Sequence, residues 1–340
     1  MQIMNSSISS SEAADWRRFS LLALAVTTLA LVTILVLAYA IDPYDSGRSN
    51  LFAKQGVRYQ GPRTAAASRG RDPAFRAGIF GNSHIQLLSP ERLKEKTGLD
   101  FVQLSVPGSG PREQFVVLDW FLRNRQAPVE AIILSADLTW CTDDPKVPEI
   151  KPFPFWLFST SRLEYAAGLL RYDILEELPR RIGYLLGRPI DRARRDGYFD
   201  YEAGYLTMGY KADPEKLEKL ENKVSDNWPV NVTGQFPVAD WLREVATKFP
   251  ADTAVLLIFP PSYKAALPSP ESIRGRSDRI CKDALQNALI DSHPKTAVID
   301  WRLDRPETHR IDLYFDQTHY RQPIAQAIEN DIADALKRMK

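Results

Sequence analysis

A doubly wound α/β domain behind a single N-terminal transmembrane helix is the architecture this sequence predicts, on three observations. Five short apolar runs recur along the chain: Ala77 to Phe80, Phe101 to Leu104, Ala131 to Leu134, Ala254 to Phe259 and Ala297 to Ile299. Short and, apart from Gln103, without polar side chains, they have the character of buried strands. Helical patterns lie between most of them, and strands alternating with helices give a flavodoxin-like parallel sheet of about five strands covered on both faces. The third observation is Leu21 to Ile41, which contains no charged residue.

That uncharged run of about 21 residues matches the roughly 20 that a helix needs to cross a hydrocarbon core. Residues 1–18 before it are polar, with a serine cluster at Ser6 to Ser11, and end in Trp16-Arg17-Arg18. Arginines on that flank belong on the cytoplasmic side. Residues 19–41 are therefore expected to be a single-pass anchor in the cytoplasmic membrane, with the remainder extracytoplasmic, periplasmic or extracellular. A cleavable signal peptide is the competing reading, because Ala38-Tyr39-Ala40 fits the A-x-A pattern. The apolar run exceeds the usual signal-peptide length and favours the anchor. Both readings put the globular part beyond the membrane.

Residues 42–76 hold Asp-Pro, glycine turns and scattered basic residues without a sustained period, and read as a stalk. The domain is expected over 77–340. Ser89-Pro90 offers a capping hydroxyl and a proline at the first helical position, and Gly98 ends the helix they open. Arg112 to Arg125, Trp241 to Phe249, Ser272 to Ile290 and Pro323 to Met339 read as further helices. Between them, about 142–237 breaks the strand–helix rhythm. It begins proline-rich and aromatic at Pro145 to Trp156, then turns helical over Glu164 to Arg195 and Pro214 to Val224, a helical insertion far longer than a connection requires. Its aromatics Phe153, Phe155, Trp156, Tyr198, Phe199 and Tyr201 are expected mostly to form the insertion's own core, with a substrate groove as the other use.

Composition excludes several classes. The 44 basic and 43 acidic side chains leave a net charge of +1, which gives no footprint for nucleic acid. Cys141 and Cys281 have no metal-ligand spacing, so no metal and no cofactor is expected. An extracytoplasmic domain permits them to pair, but spacing gives no distance, and two separately buried thiols are the expectation.

The candidate chemistry lies in Gly81-Asn82-Ser83-His84, where the first apolar run stops at a hydroxyl. In open α/β folds the carboxyl ends of the strands carry the site. A serine needs a base to accept its proton, and a carboxylate to orient that base. His84 follows Ser83 directly and is expected to point elsewhere; His293 and His309 sit in turn contexts as solvated residues. His319 differs: Asp316 precedes it by three residues and a terminal helix follows, so one loop delivers both groups to the sheet edge.

Ser83 after a first strand, glycine in the loop after the second, and Asp-x-x-His before a terminal helix together resemble the SGNH (GDSL-like) hydrolase superfamily. Asp42-Pro43-Tyr44, Gly81-Asn82-Ser83 and Val106 to Gln114 resemble its membrane-anchored extracytoplasmic members that accompany polysaccharide O-acetylation, and more distantly the D-alanyl-transfer protein of teichoic acid modification. The likeness covers about 75–140 and 250–340. It implies Ser83 as nucleophile, His319 as general base and then acid, Asp316 as orienting carboxylate, and the N–H groups of Ser83 and Gly108 as oxyanion donors. Each such donor can contribute about 3 kcal/mol in the transition state. The third block departs from the superfamily pattern. Where an oxyanion-binding asparagine is usual, this chain has Asp137, which is expected to turn away, with Arg112 as its candidate partner, or to be replaced by another donor.

The resemblance implies an acyltransferase or esterase, acetyl being the expected group, working on a cell-envelope polysaccharide with a membrane-bound acyltransferase as the candidate partner. A weakly active glycan-binding subunit of a modification complex is the alternative that the missing asparagine leaves open. A secreted lipase fits less well, because the insertion offers no long apolar lid.

Overall fold

The computed structural model describes residues 10–49, 51–52, 61–144, 151–188, 194–224 and 230–339. Most of the Ser6 to Ser11 cluster, and Pro145, which opens the proline-rich stretch, lie outside them. In chain order the elements are α1 (Ser10–Ile41), α2 (Pro62–Arg71), β1 (Ala77–Phe80), α3 (Pro90–Thr97), β2 (Phe101–Gln103), α4 (Pro111–Arg123) and β3 (Ala131–Ser135). The insertion follows with α5 (Phe155–Phe158), α6 (Arg162–Gly168), α7 (Tyr172–Leu185), α8 (Glu202–Thr207) and α9 (Pro214–Glu221). The chain then returns to the sheet through α10 (Pro237–Ala246), β4 (Ala254–Phe259), α11 (Ile273–Ile290), β5 (Thr296–Asp300) and α12 (Gln322–Arg338).

The five strands form one all-parallel sheet in the order β2-β1-β3-β4-β5, the flavodoxin-like arrangement. Its two faces carry separate cores. Phe80, Ile132, Leu134, Val255 and Leu257 point to the side covered by α4, α10, α11 and the first half of the insertion. Ile79, Ile133, Leu256 and Ile258 point to the side covered by α3 and α12. The capping signals of α3 are realised: Ser89 Oγ accepts from the Arg92 N–H at 3.3 Å, and Gly98 closes the helix at φ 78°. No strand occurs in the insertion among the described residues.

Three expectations about the fold outside the site differ from the structure. Residues 42–49 and α2 are not a stalk but part of the packing. Asp42 and Asp45 are buried, the Ser68 hydroxyl donates to Asp45 at 2.6 Å, Arg71 pairs with Asp45, and Trp120 Nε1 of α4 donates to the Ala67 carbonyl at 2.9 Å. Specific polar bonds hold this segment rather than a periodic apolar face, so hydrophobic patterning misses it. Next, Cys141 and Cys281 are not separate thiols but a disulfide, with Cα atoms 5.5 Å apart. Finally, His293 is buried, its Nε2 2.7 Å from the Thr253 carbonyl, instead of a solvated loop residue.

α12 is fixed to α3 by a buried carboxylate. Glu329 is fully buried and takes hydrogen bonds from both Arg92 Nε and Nη2, each at 2.7 Å, and from the Ser89 N–H at 2.8 Å. Removing one partner of such a pair strands the other charge, so Glu329→Ala is expected to lower unfolding free energy by about 3–5 kcal/mol in denaturant titration. Replacing both cysteines by alanine releases a cross-link closing a long loop and is expected to cost about 2–5 kcal/mol by the same measurement.

Candidate active site

The chain order of the sheet reverses between β1 and β3, and the crevice at the carboxyl ends of those strands collects the candidate residues. β1 delivers Ser83. Gly81 has φ 153°, and a Cβ there would stand 2.7 Å from Ser135 Cβ of the neighbouring strand, so only glycine lets the chain turn this close to β3. Asn82 then caps a single 3₁₀ turn, its Oδ1 accepting from the His84 N–H at 3.0 Å. Ser83 is the first residue of that turn, so its own N–H has no partner within it.

Asp316 and His319 come from the loop before α12, and the loop is organised by its own aspartate. Asp316 Oδ1 accepts from the N–H groups of Thr318 and His319, both at 2.8 Å. The strand-like bridge Tyr314–Tyr320 closes the loop, and the Phe315 N–H donates to the His319 carbonyl at 2.8 Å. The insertion supports it from outside. Gln317 Nε2 reaches the Asn222 carbonyl at 2.6 Å at the end of α9, and the Tyr201 hydroxyl donates to the Tyr320 carbonyl at 2.9 Å.

The structure brings Ser83, His319 and Asp316 into one line. Ser83 Oγ lies 2.9 Å from His319 Nε2, and His319 Nδ1 lies 2.8 and 3.0 Å from the two Asp316 oxygens. With Nδ1–H donating to the carboxylate, Nε2 is left as the acceptor for the serine proton. The rings of His84, Tyr201 and Tyr205 surround the His319 imidazole at centroid distances of 5.2, 5.8 and 5.3 Å and limit its rotation. Burial pushes the Asp316 carboxyl upward in pKa, but the His319 hydrogen bond and charge, with the two backbone donors, outweigh it and hold the group at about 2.

Gly108 is in the loop after β2, at φ 65°, a left-handed conformation that suits glycine. Neither its N–H nor that of Ser83 has a backbone acceptor among the described residues. The loop is braced by Arg63 of α2, whose Nη2 donates to the Pro107 carbonyl at 2.6 Å and the Gly108 carbonyl at 3.3 Å.

Asp137 does not meet Arg112. Arg112 is exposed on α4 with its guanidinium 4.2 Å from the centre of the Phe155 ring. Asp137 is buried, accepts from Thr139 N–H at 2.8 Å and Thr139 Oγ1 at 2.5 Å, takes a hydrogen bond from Asn82 Nδ2, and lies 3.5 Å from His84 Nδ1. Burial acts to raise its pKa, but the bonds and charge of His84 and the Thr139 donors prevail and lower it. The physical reason for the difference from expectation is reach. Asn82 and His84 leave the end of β1 directly beside the end of β3, whereas Arg112 points off the far side of α4.

A cleft of about 540 Å³ opens over Ser83 and His319, lined by Tyr198, Phe199, Tyr201 and Tyr205 of the insertion and by Arg69, Arg194 and Ser105. Phe153, Phe155 and Trp156 instead pack into the core beside α4. The insertion's aromatics thus divide between the two expected uses. Sequence reasoning missed Asn82, His84, Arg63, Tyr205 and Ser105 as parts of this site. An asparagine two residues before His84 is a legible turn cap, but nothing local marks Arg63. Ser105 Oγ is buried at the cleft wall without a hydrogen-bond partner among the described residues.

No family model matches the chain, and no match was found among curated proteins.

Two outcomes follow from the electrostatics. Asp316 lies below the ordinary aspartate value of 3.8, so its ionised form stabilises the fold above that pH, and the contribution is lost as pH falls through about 2. In His319→Ala the largest opposing influence is gone while burial remains, so carboxyl NMR is expected to show the Asp316 midpoint rising above its wild-type position of about 2. Asp137→Asn is expected to destabilise the fold by about 1–3 kcal/mol, because it replaces a charged acceptor of the Asn82 and Thr139 donors. Denaturant titration measures the loss, and an unchanged midpoint would contradict the placement of Asp137.

Proposed function

We propose that this domain is a serine-dependent O-acyltransferase or esterase of the SGNH kind, acting outside the cytoplasmic membrane on a cell-envelope or exported polysaccharide, with acetyl as the group moved. The observation that carries the reading is the pair of contacts at His319, 2.9 Å to Ser83 Oγ and 2.8 Å to Asp316. This is the arrangement nucleophilic acyl transfer requires.

In the first step Ser83 Oγ attacks the acyl carbonyl as His319 Nε2 takes its proton. The negative charge on the carbonyl oxygen falls to the N–H groups of Ser83 and Gly108. Collapse of the tetrahedral intermediate breaks the bond to the leaving alcohol, which receives the proton from His319, and leaves an acyl-serine. In the second step water or a sugar hydroxyl gives its proton to His319 and attacks the acyl-serine, which returns the Ser83 hydroxyl. Esterase and transferase differ only in that acceptor. The aromatic walls of the cleft suit the apolar faces of sugar rings.

The helix over Ala14–Ile41 is long and apolar enough to cross a membrane, and the disulfide suits an oxidising compartment. Both support the extracytoplasmic placement. Acyl-CoA is not available there, so the donor is an already acylated polymer or a membrane-bound acyltransferase partner. The alternative of an inactive glycan-binding subunit rests on Asp137 standing where an asparagine donor is usual. Asp137 is held by Asn82, Thr139 and His84, and the contacts of His319 with Ser83 and Asp316 support the enzyme reading over that alternative.

A fluorophosphonate probe is expected to label the wild-type chain and to fail on Ser83→Ala and His319→Ala. Asp316→Asn is expected to slow turnover of an aryl acetate by about 10³–10⁴-fold, with little change in KM. Absence of labelling on folded wild-type protein would sink the proposal.

A further inference from the structure

Helix α7 is apolar on two opposite faces. Its inner face, with Ile174, Leu178 and Tyr184, is buried in the domain, and the helix also packs against the end of α1. Its outer face carries Tyr172, Leu175, Pro179, Ile182 and Leu186, spaced by three, four, three and four residues, which is a single stripe on a helix. Exposures along it are 76% for Tyr172, 47% for Leu175, 39% for Ile182 and 73% for Leu186. Isolated exposed leucines are ordinary on a protein surface, but a continuous stripe over about four turns is not.

What stands next to this stripe is the helix able to cross a membrane. The last turns of α1 are built into the domain: Ala38 is fully buried, Leu35 and Ile41 pack against the core, and the Tyr39 ring meets Tyr165 of α6 edge-on at 6.3 Å. The apolar window of α1 is only 6% buried. A span of about 20 residues counted back from Ala38 ends near Phe19, just past Arg17 and Arg18. With α1 as an anchor, the bilayer surface would pass the domain where α7 packs against α1.

We propose that α7 lies in the headgroup layer of the bilayer that α1 crosses, with the stripe from Tyr172 to Leu186 inserted among the upper acyl chains. Arg171 and Arg188, exposed at the two ends of the helix, lie level with the phosphates. The occupant of the stripe is a lipid surface. It fixes the height and tilt of the domain, so the Ser83 cleft works at a set distance from the membrane. This inference rests on α1 being retained as an anchor.

The test uses the full chain in lipid nanodiscs, with the native disulfide kept and an environment-sensitive fluorophore on an introduced cysteine at Leu175→Cys, Ile182→Cys or, as the control, exposed Lys337→Cys of α12. All three positions are exposed, so folding is not at risk. The Leu175 and Ile182 probes are expected to emit to the blue of the Lys337 probe and to be quenched by lipids carrying a nitroxide high on the acyl chain, while the Lys337 probe is not. Water-like emission at both positions overturns the proposal. A blue shift that nitroxide lipids do not quench also overturns it, since that marks a second copy of the chain over the stripe. Intact mass of the same preparation reads the anchor separately. A chain beginning after Ala40 removes the anchor reading, and quenching of its probes on added phosphatidylcholine–phosphatidylglycerol vesicles then decides the stripe alone.

Discussion

The hydrogen bond between Ser83 and His319 joins segments 236 residues apart, and the rest of the structure bears on whether its two ends meet. A contact of this separation has no local support and exists only when the intervening fold is in place. The sheet supplies half of that condition. β1 and β3 pair in register from Ala77–Ala131 to Phe80–Leu134, and Gly81 then turns so close to Ser135 that Ser83 leaves the sheet in one direction only. α12 supplies the other half. Its buried Glu329 is tied to Arg92 and Ser89, so the loop just before α12 cannot drift from the end of β1 without breaking a buried ion pair.

The segments that look peripheral in the sequence act on the same contact. The insertion contributes Tyr201 and Tyr205 around the imidazole, and Gln317 Nε2 donates to the Asn222 carbonyl at 2.6 Å and shares its other hydrogen between the carbonyls of Lys219 and Leu220. α2 reaches the Gly108 loop through Arg63. Under the proposed acyl-transfer function such a rigid outer shell keeps the Ser83 and Gly108 donors in place, and donors that must move at the moment of reaction lose much of their value.

The strands were legible because strands covered on both faces are mostly apolar, and all five fall within two residues of the runs that mark them, although β2 carries Gln103 and β5 ends in Asp300. The meeting of Ser83, Asp316 and His319 was legible because all three sit at strand and helix ends that the pattern places. The segment 42–76 was not. Its α2 contains three alanines in a row and no apolar stripe; the Asp45–Arg71 pair and the Ser68 hydroxyl bind the segment to itself between residues far apart in sequence, and a carbonyl under Trp120 ties it to α4. The disulfide escaped for a related reason: sequence separation of 140 residues says nothing of distance.

The difficulty posed by Asp137 takes a different form once its partners are known. An uncompensated carboxylate beside a forming oxyanion would oppose it by several kcal/mol at the low effective dielectric of a partly buried site. Here the charge is met by Thr139, by the Asn82 amide and by the nearby His84 ring, and Asn82 in turn caps the turn that begins at Ser83. The short turn that Asp137 opens ends at Cys141, which is bonded to Cys281 on α11. A continuous path of one covalent bond, one 3₁₀ turn and two hydrogen bonds therefore runs from α11 to the turn that begins at Ser83. The carboxylate that the sequence alone presents as a misplaced oxyanion ligand is the middle of that path, and its charge is spent on holding Asn82 instead of facing the site above Ser83.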